Sequence, residues 1–563
     1  MVYAIDLGTT NTGVATWDAA SRRPRFIHLP DVCRSPSSDD PLLAPTVVPS
    51  AVHLVEPTGL GGKLGRWGIF RKRLWGTHGL IGRPALDKNQ GHPSPEFAPT
   101  FKAALMRSPM KVLARLGNEH HTARDVGRVF LRELTRAVKQ ATGERWRSLV
   151  FTTPVDAYET FRAELVQIAR ELGIDKVRFL DEPVAAALGY GVGLGAARRI
   201  LVVDMGAGTA HVALVEIDIK GTEAGVCKVI AKAGRQLGGN LVDRWLVDAF
   251  CKKLDYPLTD ADRDEERRFW YLVLLDEARR VKESVFFRDK DAFYLTPPEE
   301  LRAWEARVRG TSERLLEVSK GDIAQILDSH GYYRDMAAML DDVLADARVD
   351  EGAIDDVLLT GGSTLLPGIY TLFEERFGRD RVRAWQPFEA VAFGAAAYAA
   401  GAISQSDCVV HDYAFLTYDA RSNDPVHTVV IPRGTRVPTV PDLWRRQLVP
   451  TCALGEPERF FKLVMCEIGR SEPEERRFAW DEAGQLKRLG GKDDGLRTEA
   501  VVVELNSKNP TLGELDPPHQ PGDRTPRLEI AFGVNVERWL VATVRDLKTG
   551  KQLMDQKPVV RIL

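Results

Sequence analysis

Two short stretches of this chain combine residue types that can do chemistry. The first is Asp6-Leu7-Gly8-Thr9-Thr10-Asn11, set between the apolar runs Val2 to Ile5 and Thr12 to Trp17. Those flanks alternate as the strands of a hairpin do. An ordinary two-residue hairpin turn, however, needs no aspartate at its mouth and no paired threonines. A turn that holds a phosphate uses them all. Gly8 lets backbone N–H groups approach an anion, the hydroxyls of Thr9 and Thr10 add donors, and Asp6 can hold the water shell of a cation. Taken alone, the stretch also fits a plain hairpin.

The second stretch lies in RILVVDMGAGTAHVALVEID, Arg199 to Asp218. It repeats the logic of the first: an apolar strand, an aspartate (Asp204), a glycine turn (Gly206, Ala207, Gly208), Thr209, then an alternating strand. A core has no reason to repeat an unpaired aspartate at a strand end. The pair therefore predicts a duplicated domain whose hairpins face one cleft.

Three further segments supply the elements that would position this chemistry. Leu149 to Gly191 reads as strand, loop, helix, strand, then a helix opened by Glu182-Pro183. Proline suits a first helical turn, and glutamate beside it favours the positive end of the helix. Gly234 to Phe250 puts Gly238-Gly239 before a helix, a place for an anion or for a close backbone approach. Asp355 to Gly378 reads as a buried strand, a Gly361-Gly362-Ser363 turn and an amphipathic helix. Each glycine pair also fits a structural turn. No GxxxxGK[ST] motif occurs, so a P-loop is not the source of phosphate binding.

Composition narrows the classes. At 563 residues the chain is too long for one core. Its net charge of −2 gives no argument for nucleic acid or an anionic membrane as partner. Six scattered cysteines without a CxxC pair fit reduced thiols rather than a disulfide frame or a zinc site. Ala390 to Ile403, alanine-rich and uncharged, reads as a packed helix too short to span a bilayer. Asp6 interrupts any signal peptide, so a cytoplasmic location is expected.

These segments, in this order, resemble the actin, sugar-kinase and Hsp70 superfamily of ATPases. The wording IDLGTTN, TTPVDAYETFR, FLDEPVAAALGYG, VVDMGAGT, LGGN, TGGSTLLP and PFEAVAFGAAAYAA resembles the Hsp70 (DnaK-like) chaperones in particular. The resemblance implies an α/β actin-like, duplicated ribonuclease H-like, two-lobed ATPase domain over residues 1–403. It further implies a linker over 404–412 and an all-β sandwich that binds peptide over 413–563. The chain ends where the sandwich does, so the family's helical lid is expected to be absent.

By the same resemblance, ATP or ADP binds with Mg2+, and with K+ as a further cation. Asp6 and Asp204 hold the Mg2+ through water. Thr9, Thr10, Asn11, Gly206, Ala207, Gly208 and Thr209, with Gly8, cradle the phosphates. Glu182 orders the attacking water, and Lys102 in PTFKAALMR is the candidate for the lysine that positions it. The spacing around Lys102 also fits a solvated helix lysine. Gly238, Gly239, Gly361, Gly362 and Ser363 match the clamp on ribose and adenine. Pro154 and Arg162 fall where the family transmits nucleotide state, together with Val409, Val410 and Asp412 of the linker. The implied partners are a peptide or unfolded client, a J-domain co-chaperone and a nucleotide-exchange factor.

Departures from the family pattern qualify these roles. His211 stands where the family has another aspartate near the metal; it is a candidate ligand, but it lacks the carboxylate's charge, so weaker Mg2+ binding or turnover is expected. Leu365 replaces the arginine that stacks on adenine, and Phe388 replaces an acidic residue near the clamp. Arg279, Arg280, Lys282 and Ser284 are candidates for the opposite face of the base, in a register left open. In the sandwich, Asn423 replaces an apolar arch residue, with Ala420 and Val426 at the pocket positions, so the groove is expected to be more polar. Leu60 to Ile81 reads as a long surface hairpin or a partner-binding loop. A nucleotide-driven chaperone is the reading favoured by the motifs. A pseudo-chaperone scaffold or sensor that scarcely hydrolyses ATP is the alternative that His211, Leu365 and the weak linker support. A filament-forming actin relative and a sugar kinase fit less well, the first for its lack of a sandwich and the second for its sugar-facing aspartate.

Overall fold

Alternation decides which way the chemistry faces. The strands Tyr3–Leu7 and Asn11–Asp18 pair antiparallel across the first turn, each reaching slightly further than the sequence pattern predicts. Side chains on a strand alternate between faces. Tyr3, Ile5 and Leu7 enter one apolar core, while Ala4 enters a second. Asp6 shares the face of Ala4. In Arg198–Met205, Leu201, Val203 and Met205 enter a third core, and Ile200 and Val202 join Ala4 in the second. Asp204 shares their face. Both aspartates therefore point toward the space between two sheets.

The computed structural model describes residues 2–35, 46–56, 78–89, 94–155, 157–191, 198–218, 225–256, 265–295, 315–384, 389–401, 403–409, 411–418, 425–452, 455–471, 477–480, 486–489, 499–507, 509–535 and 538–562. The first sheet runs Lys176–Asp181, Ser148–Thr153, Tyr3–Leu7, Asn11–Asp18, Arg23–Phe26, with Val48–Pro49 beside Asn11–Asp18. The second runs Val382–Ala384, Asp356–Thr360, Arg198–Met205, Ala210–Asp218, Gly225–Arg235 and continues outward. In both, the aspartate strand has a parallel neighbour on one side and its hairpin partner on the other. The duplication expected from the two turns is present as strand order.

The core between the sheets is filled by two helices, Glu182–Gly191 and Ala390–Ala399. The second is the helix predicted for the alanine-rich stretch. They meet at glycine: a Cβ on Gly394 would lie 1.7 Å from the Ala185 carbonyl oxygen. Among the described residues no helix is long and apolar enough to cross a membrane.

Beyond Gly401 the chain turns to β-structure. One antiparallel sheet orders Pro425–Ile431, Asp412–Tyr418, Met465–Ser471, Glu499–Glu504; another orders Trp444–Leu448, Leu528–Val534, Trp539–Asp546, Gln552–Arg561. They share one core, where the rings of Phe415 and Phe532 lie 5.5 Å apart. Much of the stretch expected as a linker lies in strands. Ile403–Cys408 adds parallel to Gly225–Arg235, Arg436–Val437 pairs with its far end, and Val409 is buried in the β core.

Candidate active site

Each aspartate is held by the strand beside it. The Thr152 hydroxyl donates to Asp6 Oδ1 at 2.7 Å, and the Thr360 hydroxyl donates to Asp204 Oδ1 at 3.1 Å. Glu182 comes from the start of its helix, and Lys102 from the start of Lys102–Arg107. Lys102 is not a solvated surface lysine. It is 3% exposed, and its Nζ donates to Glu182 Oε1 at 2.6 Å. His211 lies opposite Asp204 on the paired strand, so both side chains share a face. Its Nδ1 is 3.7 Å from Glu182 Oε2.

This arrangement crowds negative charge. Burial first, then the neighbouring Glu182, pushes the Asp6 carboxyl up to about 7, against the pull of Lys102 and the Thr152 bond. The same two causes push Asp204 up to about 6, against His211 and the Thr360 bond. A cation placed among these groups would relieve the crowding. The donor set of carboxylates fits a hard divalent ion such as Mg2+.

Asp6, Asp204, Glu182 and Lys102 line a cavity of about 690 Å³. Both predicted turns line it: Gly8, Thr9, Thr10 and Asn11 on one side, Gly206, Ala207, Gly208 and Thr209 on the other. Gly239, Gly361, Gly362, Ser363 and Leu365 line it further along. Gly238 has a different use. A Cβ there would sit 2.4 Å from the Ala207 carbonyl oxygen, so this glycine lets the second turn pack close. The N–H groups of Gly239 and Asn240 are engaged by the Gly206 and Ala207 carbonyls, so the Gly-Gly pair makes a backbone contact with the second turn.

The helix Glu265–Ser284 borders the cavity with Arg279, Arg280, Lys282 and Ser284. Arg279, Arg280 and Lys282 are already paired. Arg279 bonds Asp243 and Asp276, Arg280 bonds Glu277 and Asp291, and Lys282 lies 2.7 Å from Asp243 Oδ1. Sequence reasoning missed Phe286 and Phe287, which line the cavity, and Arg34, whose guanidinium reaches Glu283 at 3.1 Å. It also missed Thr152 and Thr360. Their only signal is a threonine at the end of each parallel neighbour strand.

The residues expected to couple the two parts meet elsewhere. Arg162 is buried between Glu159 and Asp181, and Lys232 also pairs with Asp181. Pro154 is buried directly after the strand Ser148–Thr153. Across the boundary, the Glu159 N–H donates to Glu467 Oε2 at 2.9 Å, and the Tyr413 hydroxyl donates to Glu159 Oε1 at 3.1 Å. His411 lies 2.8 Å from Glu467 Oε1 and stacks on Tyr158. Asp412 instead accepts from the Arg433 N–H within the β part. Val426 is exposed on Pro425–Ile431. Val410, Ala420, Asn423, Phe388 and Leu60 to Ile81, apart from the strand His78–Ile81, lie outside the described residues.

Two α/β sheets of one strand order, an aspartate hairpin from each on a common cavity, and paired antiparallel sheets beyond them are the features of an Hsp70-type protein. The family model described as Hsp70 protein matches residues 70–447. The chain belongs to the Hsp70 family. Among curated relatives, chaperone protein DnaK of Thermotoga neapolitana is 28% identical over 381 residues, covering 64% of this chain and 58% of the relative. Chaperone protein DnaK of Elusimicrobium minutum is 25% identical over 564 residues, covering 98% and 76%. That of Thermus thermophilus is 29% identical over 336 residues, covering 57% and 50%. The chain thus spans little more than half the length of the first of these relatives.

Proposed function

We propose that this chain is an Hsp70-type chaperone that binds Mg2+ with ATP or ADP, hydrolyses ATP slowly, and uses the nucleotide to control peptide binding by its C-terminal sheets. The observation that carries the reading is the convergence of Asp6, Asp204, Glu182 and Lys102 on one cavity lined by both turns. Under this reading residues 1–403 are a two-lobed ATPase domain, 404–412 join it to the second part, and 413–563 form the peptide-binding sandwich. Thr9, Thr10 and the Gly206 to Thr209 backbone receive the phosphates. Mg2+, when bound near Asp6 and Asp204, neutralises phosphate charge. Lys102 and Glu182, locked together, hold the attacking water in line, which suits a reaction dominated by positioning and charge. Leu365 and Phe286 offer apolar contact to the base in place of a stacking arginine.

Clients would be unfolded segments, with a J-domain protein and an exchange factor as helpers. Isothermal titration of ATP and ADP with and without Mg2+ tests the binding. No heat at millimolar nucleotide removes the reading. His211 beside Glu182, and Leu365 on the cavity lining, favour a second reading: a scaffold that holds nucleotide with little turnover. Single-turnover hydrolysis separates the two.

A further inference from the structure

We propose that His211, Glu182 and Asp204 form a direct ligand set for a divalent transition metal, and that the imidazole of His211 sets the preference of this cleft for such a metal over Mg2+. The ligand atoms of these residues lie within 4.8 Å of one another. Around one ion, ligands at about 2.1 Å stand roughly 3 Å apart when adjacent and about 4.2 Å apart when opposite, so small side-chain movements suffice. The three groups come from three anchored elements: one strand, its antiparallel partner and a helix start. They are 7%, 7% and 1% exposed for Glu182, Asp204 and His211, and the two carboxylates line the cavity through which an ion would enter.

Charge and donor chemistry agree. Asp6, Glu182 and Asp204 oppose one ammonium, that of Lys102; when the carboxyls are ionised, a surplus of two negative charges remains for a divalent ion. Lys102 occupies Glu182 Oε1, while Oε2 is the oxygen nearer His211. At 3.7 Å the His211–Glu182 separation exceeds a hydrogen bond and falls between the adjacent and opposite spacings of two ligands on one ion. Mg2+ favours an all-oxygen shell with several waters. A nitrogen donor moves selectivity toward manganese, cobalt or zinc.

The inference rests on the proposed nucleotide site only for what the metal would serve, so the metal is tested first without nucleotide. Co2+ and Mg2+ are titrated calorimetrically into the full chain and into His211→Ala and His211→Asp. The expected result is a loss of about tenfold or more in Co2+ affinity for both variants, with His211→Asp shifting the Co2+/Mg2+ ratio toward Mg2+. Because a buried histidine could be needed for folding, the wild type carries its own readout: pulsed EPR of bound Mn2+ should show modulation from an imidazole nitrogen. Equal Co2+ affinity in all three proteins, or bound Mn2+ without that modulation, overturns the proposal. Titration of ADP with Mg2+ in parallel keeps the readings apart. Its failure beside intact nitrogen modulation removes the nucleotide site and leaves the metal site standing.

Discussion

Asp6 and Asp204 each give one oxygen to a threonine of the neighbouring strand, and the rest of each carboxylate faces the cavity. Asp204→Asn keeps the shape and removes a charge, so nucleotide binding in Mg2+ should weaken by about tenfold or more, read by calorimetry. Lys102→Ala should lower single-turnover hydrolysis by about 10²-fold with nucleotide affinity much less changed. The same variant strips Glu182 of its buried partner, a loss of up to about 3–5 kcal/mol, so its melting temperature should also fall. The aspartates were legible because a strand-end aspartate recurs with its turn. The resemblance put Lys102 and Glu182 on one water, but their direct contact was not legible, since nothing local says that a lysine will bond a glutamate from a distant helix. At Gly238 the close backbone approach is observed, and the sequence alone did not single it out, because anion cradle and close approach leave the same mark there.

At the scale of elements, the aspartates keep their spacing because two helices fill the core between the sheets. Helix Ala390–Ala399 was readable from its alanines, which allow close packing. Its partner and contact point were not readable, since Gly394 could have been a simple helix irregularity. Gly394→Ala puts a methyl against the Ala185 carbonyl and forces the helices apart. Overpacking of this kind costs about 1–3 kcal/mol. The denaturant midpoint should fall accordingly, and nucleotide affinity should fall with it because both hairpins ride on these helices. An unchanged midpoint would mean the helix pair can re-pack without strain.

At the scale of the molecule, the boundary between the α/β and β parts is polar and buried. Glu467, fully buried in the β part, takes the Glu159 N–H and neighbours His411 and Tyr413. Glu467→Ala should shrink the ATP-dependent change in peptide affinity, measured by anisotropy, while leaving nucleotide affinity near wild type. No sequence signal marks Glu467, because a glutamate in an alternating strand reads as solvent-facing. Asp412 carried the family signal yet serves a local turn.

Asp181 gives the same boundary a pH dependence. Burial pushes its carboxyl up, but Lys232 and then Arg162 outweigh burial and hold it below the usual range. A depressed folded value stabilises above the ordinary carboxylate value of about 3.9 and is lost as pH falls through the folded one. The melting temperature should therefore drop more steeply between pH 5 and pH 3 in wild type than in Asp181→Asn.

The strand Ile403–Cys408 has a mechanical consequence. It lies parallel to Gly225–Arg235, from Gly225 against Ile403 to Lys228 against Ser406, and the chain runs on from its end into the β part. Tension applied to the β part by a bound client would pull along that strand and load its ladder in shear, so several bonds must fail together. The junction then acts as a clamp, not a tether. Traction on the client would reach the sheet that carries Asp204 before the two parts separate.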